Sequence, residues 1–166
     1  MPKTESHVSA GILAPANTAK REEIVGLLTR AYWMEMETVM SYLANSAHLD
    51  GIRAEEVAEA LDADVDEELG HARKFAARIK ELYGTPPGTM DFTAEQASLQ
   101  PPADATDVVA VIRGVIEAEA GAIAHYTRLI EACDGVDWTT QDMVIDILRD
   151  EEGHLRQFER YLREFE

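Results

Sequence analysis

Asp150-Glu151-Glu152-Gly153-His154 has a second copy in this chain, Glu67-Glu68-Leu69-Gly70-His71. Both read acid, Glu, any residue, Gly, His. Residues three apart share one face of an α-helix, so the glutamate and histidine of each copy can grip one cation between a carboxylate oxygen and an imidazole nitrogen. A single Glu-x-x-His also fits a surface glutamate beside a satisfied histidine. The flanks strengthen the metal reading. Glu35 stands 33 residues before Glu68, Glu119 stands 32 before Glu151, and each is followed seven residues later by a tyrosine, Tyr42 and Tyr126. The chain reads as two helix pairs of one design, each a Glu-x6-Tyr helix followed by a Glu-x-x-His helix.

Periodicity places four helices. The first is expected from Asn17 or Thr18, either able to cap it, to about Asp50, with Gly51 at the left-handed position after its end. Its inward stripe is Ile24, Leu28, Ala31, Glu35, Thr38 and Tyr42, in steps of three and four. A second apolar stripe, Trp33, Met36, Met40, Leu43 and Ala47, implies burial on two sides, one against a neighbouring subunit. The second helix is expected from about Arg53 to Tyr83, with Leu61, Asp64, Glu68, His71, Phe75 and Leu82 inward. Gly84-Thr-Pro-Pro-Gly88 stops it, and a crossover to about Ala105 follows, with Thr93 to Leu99 as a candidate short helix. Such a connection suits a bundle whose third helix starts at the far end. That helix is expected from about Thr106 to Cys133, with Val109, Ile112, Ile116, Glu119, Ile123, Tyr126 and Ile130 inward. Glu117 lies about 160° from this stripe, which selects Glu119 as the inward acid. The fourth helix begins near Asp137 or Thr139 and turns Val144, Leu148, Glu151, Leu155, Phe158 and Leu162 inward.

Composition bounds the partners. The 166 residues fit one helical domain over 18–166, preceded by a tail over 1–17 that is mobile or docked on a neighbour. With 32 acidic against 15 basic residues and a net charge of −17, nucleic acid is disfavoured and cations are favoured. The single cysteine, Cys133, allows no internal disulfide. No signal-peptide pattern and no membrane-length apolar run are visible, so a soluble cytoplasmic protein with no membrane partner is expected.

One glutamate on the core stripe of each helix, and a histidine one turn beyond two of them, specify six ligands meeting at mid-bundle: Glu35, Glu68, His71, Glu119, Glu151 and His154. That is the pattern of di-iron and di-manganese carboxylate bundles. Glu35 and Glu119 would be terminal ligands, Glu68 and Glu151 would bridge, and the histidines would complete the spheres. Four carboxylates neutralise two divalent cations, and the oxygen-rich set favours iron or manganese, with zinc able to substitute. Glu67 and Asp150 are either solvated charges or partners that fix the ligand histidine of the opposite helix.

Glu35-Met-Glu-Thr-Val-Met-Ser-Tyr42, Asp66-Glu-Glu-Leu-Gly-His71 and Asp142-Met-Val-Ile-Asp-Ile-Leu-Arg-Asp-Glu-Glu-Gly-His154 together resemble the ferritin-like superfamily, and within it bacterioferritin, over about residues 24 to 165. The resemblance implies an all-α, ferritin-like four-helix bundle. It also implies a ferroxidase that oxidises Fe(II) with O2 or H2O2 at two iron ions per subunit and stores the product in a hollow shell. Tyr42 takes the place of the family's tyrosine near the site, as an electron donor or as core packing. The methionine by which bacterioferritins ligate haem would stand at Leu69, which argues against haem, Met36 and Met40 being the remaining candidates. Only 12 residues follow His154, too few for a fifth helix. The chain thus resembles the Dps-like mini-ferritins that carry a bacterioferritin-type site and form homo-oligomers of 12 subunits, although Cys133 alone does not supply the cysteine pair common there. The competing expectation is a di-iron or di-manganese enzyme without a shell, a rubrerythrin-like peroxidase or a manganese catalase.

Overall fold

The structure, a computed structural model, describes residues 8–166, and among them it contains four α-helices and no strand. They are α1 (Thr18–His48), α2 (Glu55–Glu81), α3 (Val108–Cys133) and α4 (Trp138–Leu162). α1 packs along α2 and α3 along α4; the two pairs meet chiefly through α1 against α3. None of these helices is long and apolar enough to cross a membrane.

The inward stripe of α1 is buried throughout: Ile24, Leu28, Ala31, Glu35, Thr38 and Tyr42. On α3 the stripe is rotated from the expected one. Val108, Val111, Val115 and Leu129 are buried, whereas Val109, Ile116, Ile123 and Ile130 lie half-buried at its edge. The seven-residue spacing of Glu119 and Tyr126 fixed the centre of the face, but β-branched residues on both flanks left its width ambiguous. Asp64, expected inward on α2, is also half-buried.

The helix ends differ from expectation in three places. Neither Asn17 nor Thr18 caps α1 with its side chain: Asn17 Nδ2 donates to the Gly11 carbonyl and Thr18 Oγ1 to the Pro15 carbonyl, the latter closing a short 3₁₀ turn over Pro15–Asn17. α1 stops at His48, before Asp50, and Gly51 (φ 102°) serves the turn that enters α2. The segment 93–99 is not helical, because the N–H groups of Glu95 and Gln96 are taken by the Glu37 carboxylate. At the start of α4, Asp137 is the cap: its Oδ1 accepts from Thr140 N at 3.0 Å and from Arg78 Nη2 at 2.8 Å, tying the end of α2 to α4.

The first seven residues of the expected tail lie outside the described residues. Further along it, Ile12 and Ala14 are buried, and Arg21 Nη1 donates to both of their carbonyls, at 2.9 and 3.3 Å.

The crossover travels the length of the bundle. At the end where α1 stops, Asp50 N–H donates to the Ala105 carbonyl at 2.9 Å and His48 Nε2 lies 2.7 Å from the Pro102 carbonyl, so α3 starts there and runs antiparallel to α1. Gly114 lets the crossover approach α3. A Cβ at that position would stand 2.5 Å from the Ser98 carbonyl oxygen and 3.2 Å from Leu99 Cα. Two apolar clusters result, one around Leu28, Phe75 and Leu129, the other around Leu61, Ile112 and Phe158. A layer of buried acids and histidines separates them.

Gly114→Ala should therefore lower the unfolding free energy by about 1–3 kcal/mol in denaturant melts, since backbone must move to admit the methyl group. Gly26→Ala, in α1 with nothing within 4 Å of the added Cβ, should raise it by up to about 1 kcal/mol.

Candidate metal centre

Each helix contributes one acid to the buried layer. Glu35 and Glu119 are 2% exposed, Glu68 and Glu151 1%, and His71 and His154 enter the same layer from α2 and α4. The i, i+3 spacing sets each histidine on the face of its own glutamate, and the bundle turns both faces inward. The result is two overlapping sets of donors, Glu35, Glu68, His71 and Glu151 on one side and Glu68, Glu119, Glu151 and His154 on the other. Within each set the nearest donor atoms lie within 4.8 Å of one another. Glu68 and Glu151 belong to both sets.

The distances have the symmetry of the repeat. His71 Nδ1 is 3.1 Å from Glu151 Oε1 and 3.7 Å from Glu68 Oε2; His154 Nδ1 is 3.2 Å from Glu68 Oε1 and 3.6 Å from Glu151 Oε2. These contacts are close but lack hydrogen-bond alignment. Both Glu68 oxygens, Glu151 Oε1 and both Nδ1 atoms have no hydrogen-bond partner. Buried polar atoms without partners each cost about 1–3 kcal/mol, and this cluster is unstable on its own terms. A cation resolves it. Two donors about 2.1 Å from one ion and at right angles lie about 3 Å apart, close to the 3.1 and 3.2 Å between each Nδ1 and its nearest carboxylate oxygen. Oxygen-rich donors with two imidazoles and no sulfur fit iron or manganese, and tolerate zinc.

The outer nitrogens are held by the opposite pair of each motif. His71 Nε2 lies 3.2 Å from Asp150 Oδ2, and His154 Nε2 lies 3.2 Å from Glu67 Oε2. An acid at that nitrogen favours the proton on Nε2, and Nδ1 of each ring faces the buried carboxylates. The tyrosines cross between pairs as well. Tyr42 on α1 donates to Glu119 Oε1 on α3, and Tyr126 on α3 donates to Glu35 Oε1 on α1. Burial, and then the charge of Glu119 or Glu35, pushes both phenols well above their usual range, so each remains a donor.

Protonation follows from the crowding. Burial, reinforced by the charges of Glu68 and Glu151, holds Glu35 and Glu119 well above the usual carboxylate range. Burial also works against the anions Glu68 and Glu151, but the facing imidazoles of His154 and His71 bring both below it. Burial likewise disfavours charge on the rings. The Glu151 and Glu68 carboxylates prevail, holding His71 at about 9 and His154 at about 12.

Sequence reasoning named the six donors and Tyr42. It paired Tyr126 with Tyr42 by position but gave it no role, although the repeat was the signal that could have done so. It missed Glu37, two residues beyond Glu35 and 5% exposed, whose burial depends on where the crossover lies. The rival acid Glu117 is exposed.

A model of the ferritin-like domain matches residues 25–166. Among curated proteins, the chain is similar to a DNA protection during starvation protein of Pyrococcus furiosus, 28% identical over 144 residues that span 85% of this chain and 77% of that one. It is also similar to a bacterioferritin of Desulfovibrio desulfuricans, 25% identical over 141 residues, 84% of this chain and 74% of the relative. Among solved structures, the dodecameric thioferritin of Bacteroides fragilis, a bacterioferritin-related protein, shares the fold at a TM-score of 0.75 and 23% identity, over 87% of each chain.

Loading this centre must strip protons from His71, His154, Glu35 and Glu119, because a ligand needs its lone pair. Each of these groups is raised above its usual value, so the cost of removing its proton falls as pH rises. Affinity for Mn(II) should accordingly increase between about pH 6 and 8, with protons released to buffer in calorimetry. An affinity flat across that range, with no buffer-dependent heat, would contradict the ligand set.

Proposed function

The chain belongs to the ferritin-like domain family, and on that premise we propose that it is a ferroxidase and iron-storing mini-ferritin. In this reading it takes Fe(II) as substrate at Glu35, Glu68, His71, Glu119, Glu151 and His154 and deposits ferric product inside a shell of 12 subunits. The observation that carries the reading is the set of partnerless inward atoms on Glu68, Glu151, His71 and His154. A pair of cations would satisfy all of those atoms at once, whereas protons shared with the imidazoles leave them without aligned partners.

The chemistry needs little from the protein beyond placement. Two Fe(II) ions lose one electron each, and one H2O2 with two protons becomes two waters; with O2 as oxidant, two protons give H2O2. Glu68 and Glu151, shared by both donor sets, keep the ions adjacent so that a two-electron acceptor meets both at once. The terminal carboxylates Glu35 and Glu119 keep the orientation set by the phenols of Tyr126 and Tyr42. Either phenol is close enough to supply a further electron to the site.

Storage needs a cavity, and hence an assembly. The dodecameric state of the Bacteroides fragilis relative supports that part, as does the apolar patch of α1, where Met40 is 67% and Leu43 47% exposed in the single chain. The cytoplasm, where Fe(II) is kept reduced, is the compartment proposed.

Anaerobic titration should saturate at about two Fe(II) per chain, with oxidation on admitting air or H2O2. Glu151→Ala removes an oxygen from both ions and should slow oxidation at least about a hundredfold while leaving the helical circular dichroism in place. Size-exclusion chromatography with light scattering tests the shell: a dimer or tetramer would sink storage and leave a shell-less di-iron or di-manganese enzyme.

A further inference from the structure

We infer that the crossover is a strap over the entrance through which small substrates reach the carboxylate layer, and that Glu37 is the positioning residue that holds it closed. The inference rests on the metal-centre reading above and adds the route to it.

A cavity of about 210 Å³ lies between α1 and α3. It begins among exposed residues, Glu95 of the crossover and Glu117 of α3, and ends on Glu35, Glu119, Glu68 and Glu151. The histidines do not line it. On their side, Glu67 and Asp150 lie across the outer ring nitrogens at hydrogen-bond distance. The centre therefore has an oxygen edge facing a passage and a nitrogen edge that is tied down. Ala97, Ala118 and Ala122 line the passage with small side chains, and Gly121 stands exposed at its mouth. That is room for a hydrated cation or a peroxide molecule.

The passage is roofed by residues 95–98, and the roof is fastened by an unusual anchor. Glu37 is 5% exposed, and its carboxylate accepts the backbone N–H of Glu95 at 3.1 Å and of Gln96 at 2.5 Å. Arg30 Nη1 lies 3.6 Å from Glu37, and Arg30 Nη2 reaches Glu95 at 2.9 Å. Gln96 Nε2 donates to Thr38 Oγ1 at 2.9 Å, while its Oε1 is buried at the passage with no partner. An acid buried this deeply is a costly way to fasten a surface loop. Its placement two residues beyond Glu35 puts the fastening at the mouth. Arg30 is held by two carboxylates, so an approaching cation meets acids there.

The test uses Co(II), whose visible bands report occupancy without turnover. Association is followed by stopped flow, dissociation by extraction into EDTA, and the strap by hydrogen exchange at the Glu95 and Gln96 amides. Glu37→Gln should accelerate exchange at those amides and speed association and dissociation together by about tenfold, with Kd within about twofold. Gly121→Leu, which sets a branched side chain at the mouth of the passage and leaves the strap fastened, should slow both rates together, and it carries the test if Glu37→Gln does not fold. If both rates stay unchanged while the amides of the Glu37→Gln protein are exposed, or if Gly121→Leu leaves them unchanged, the passage is not the route. A shift in Kd alone would make Glu37 a modulator of the ligands and would equally overturn the strap. Failure of the native protein to bind Co(II) removes the metal-centre reading, and this inference with it.

Discussion

Carboxylates do not gather inside a helical bundle without a counter-charge, and the whole molecule is arranged around one such gathering. Glu35, Glu68, Glu119 and Glu151 are each at most 2% exposed, at one level between two apolar clusters. Without a cation they share protons with one another and with two imidazoles, at a cost that apolar packing above and below must offset. With two divalent cations the four charges balance. The bundle is best understood as a frame that accepts a local instability so that a ligand can remove it.

The frame is nearly two-fold symmetric within one chain. Every contact at the centre has a counterpart: His71 with Asp150 and His154 with Glu67, Tyr42 with Glu119 and Tyr126 with Glu35. In each case the partners come from different helix pairs. Neither pair can orient its own donors, so the site exists only when α1 and α2 are seated on α3 and α4. Placing these bonds across the seam couples folding of the bundle to assembly of the centre.

Much of this was legible in the sequence because helical periodicity and a repeat constrain the same residues. Glu35, Glu68, Glu119 and Glu151 fall on apolar stripes, and the spacing of each glutamate from its histidine or tyrosine fixes which face turns inward. For Glu67 and Asp150 spacing left two readings open, a solvated charge or a partner for the opposite histidine, and the contacts to His154 and His71 are visible only in the folded chain. What stayed illegible depends on irregular backbone. The path of 93–99 is set by Glu37 and by the space at Gly114, and neither carries a period. The same is true of the turn at Pro15–Asn17, where Asn17 and Thr18 spend their side chains on carbonyls of the preceding strand of coil instead of on α1. On α3, runs of valine, isoleucine and alanine filled both edges of the stripe, so periodicity located its axis better than its margin.

The internal repeat has a consequence for how such a molecule could arise. One helix pair contains a terminal acid, a shared acid, an imidazole, a phenol and an outer carboxylate, which is half of every bond at the centre. Two identical copies related by a dyad would supply the full set. The chain is in that sense two half-sites joined by one crossover, and the linking peptide, which has no counterpart across the dyad, lies over one face alone.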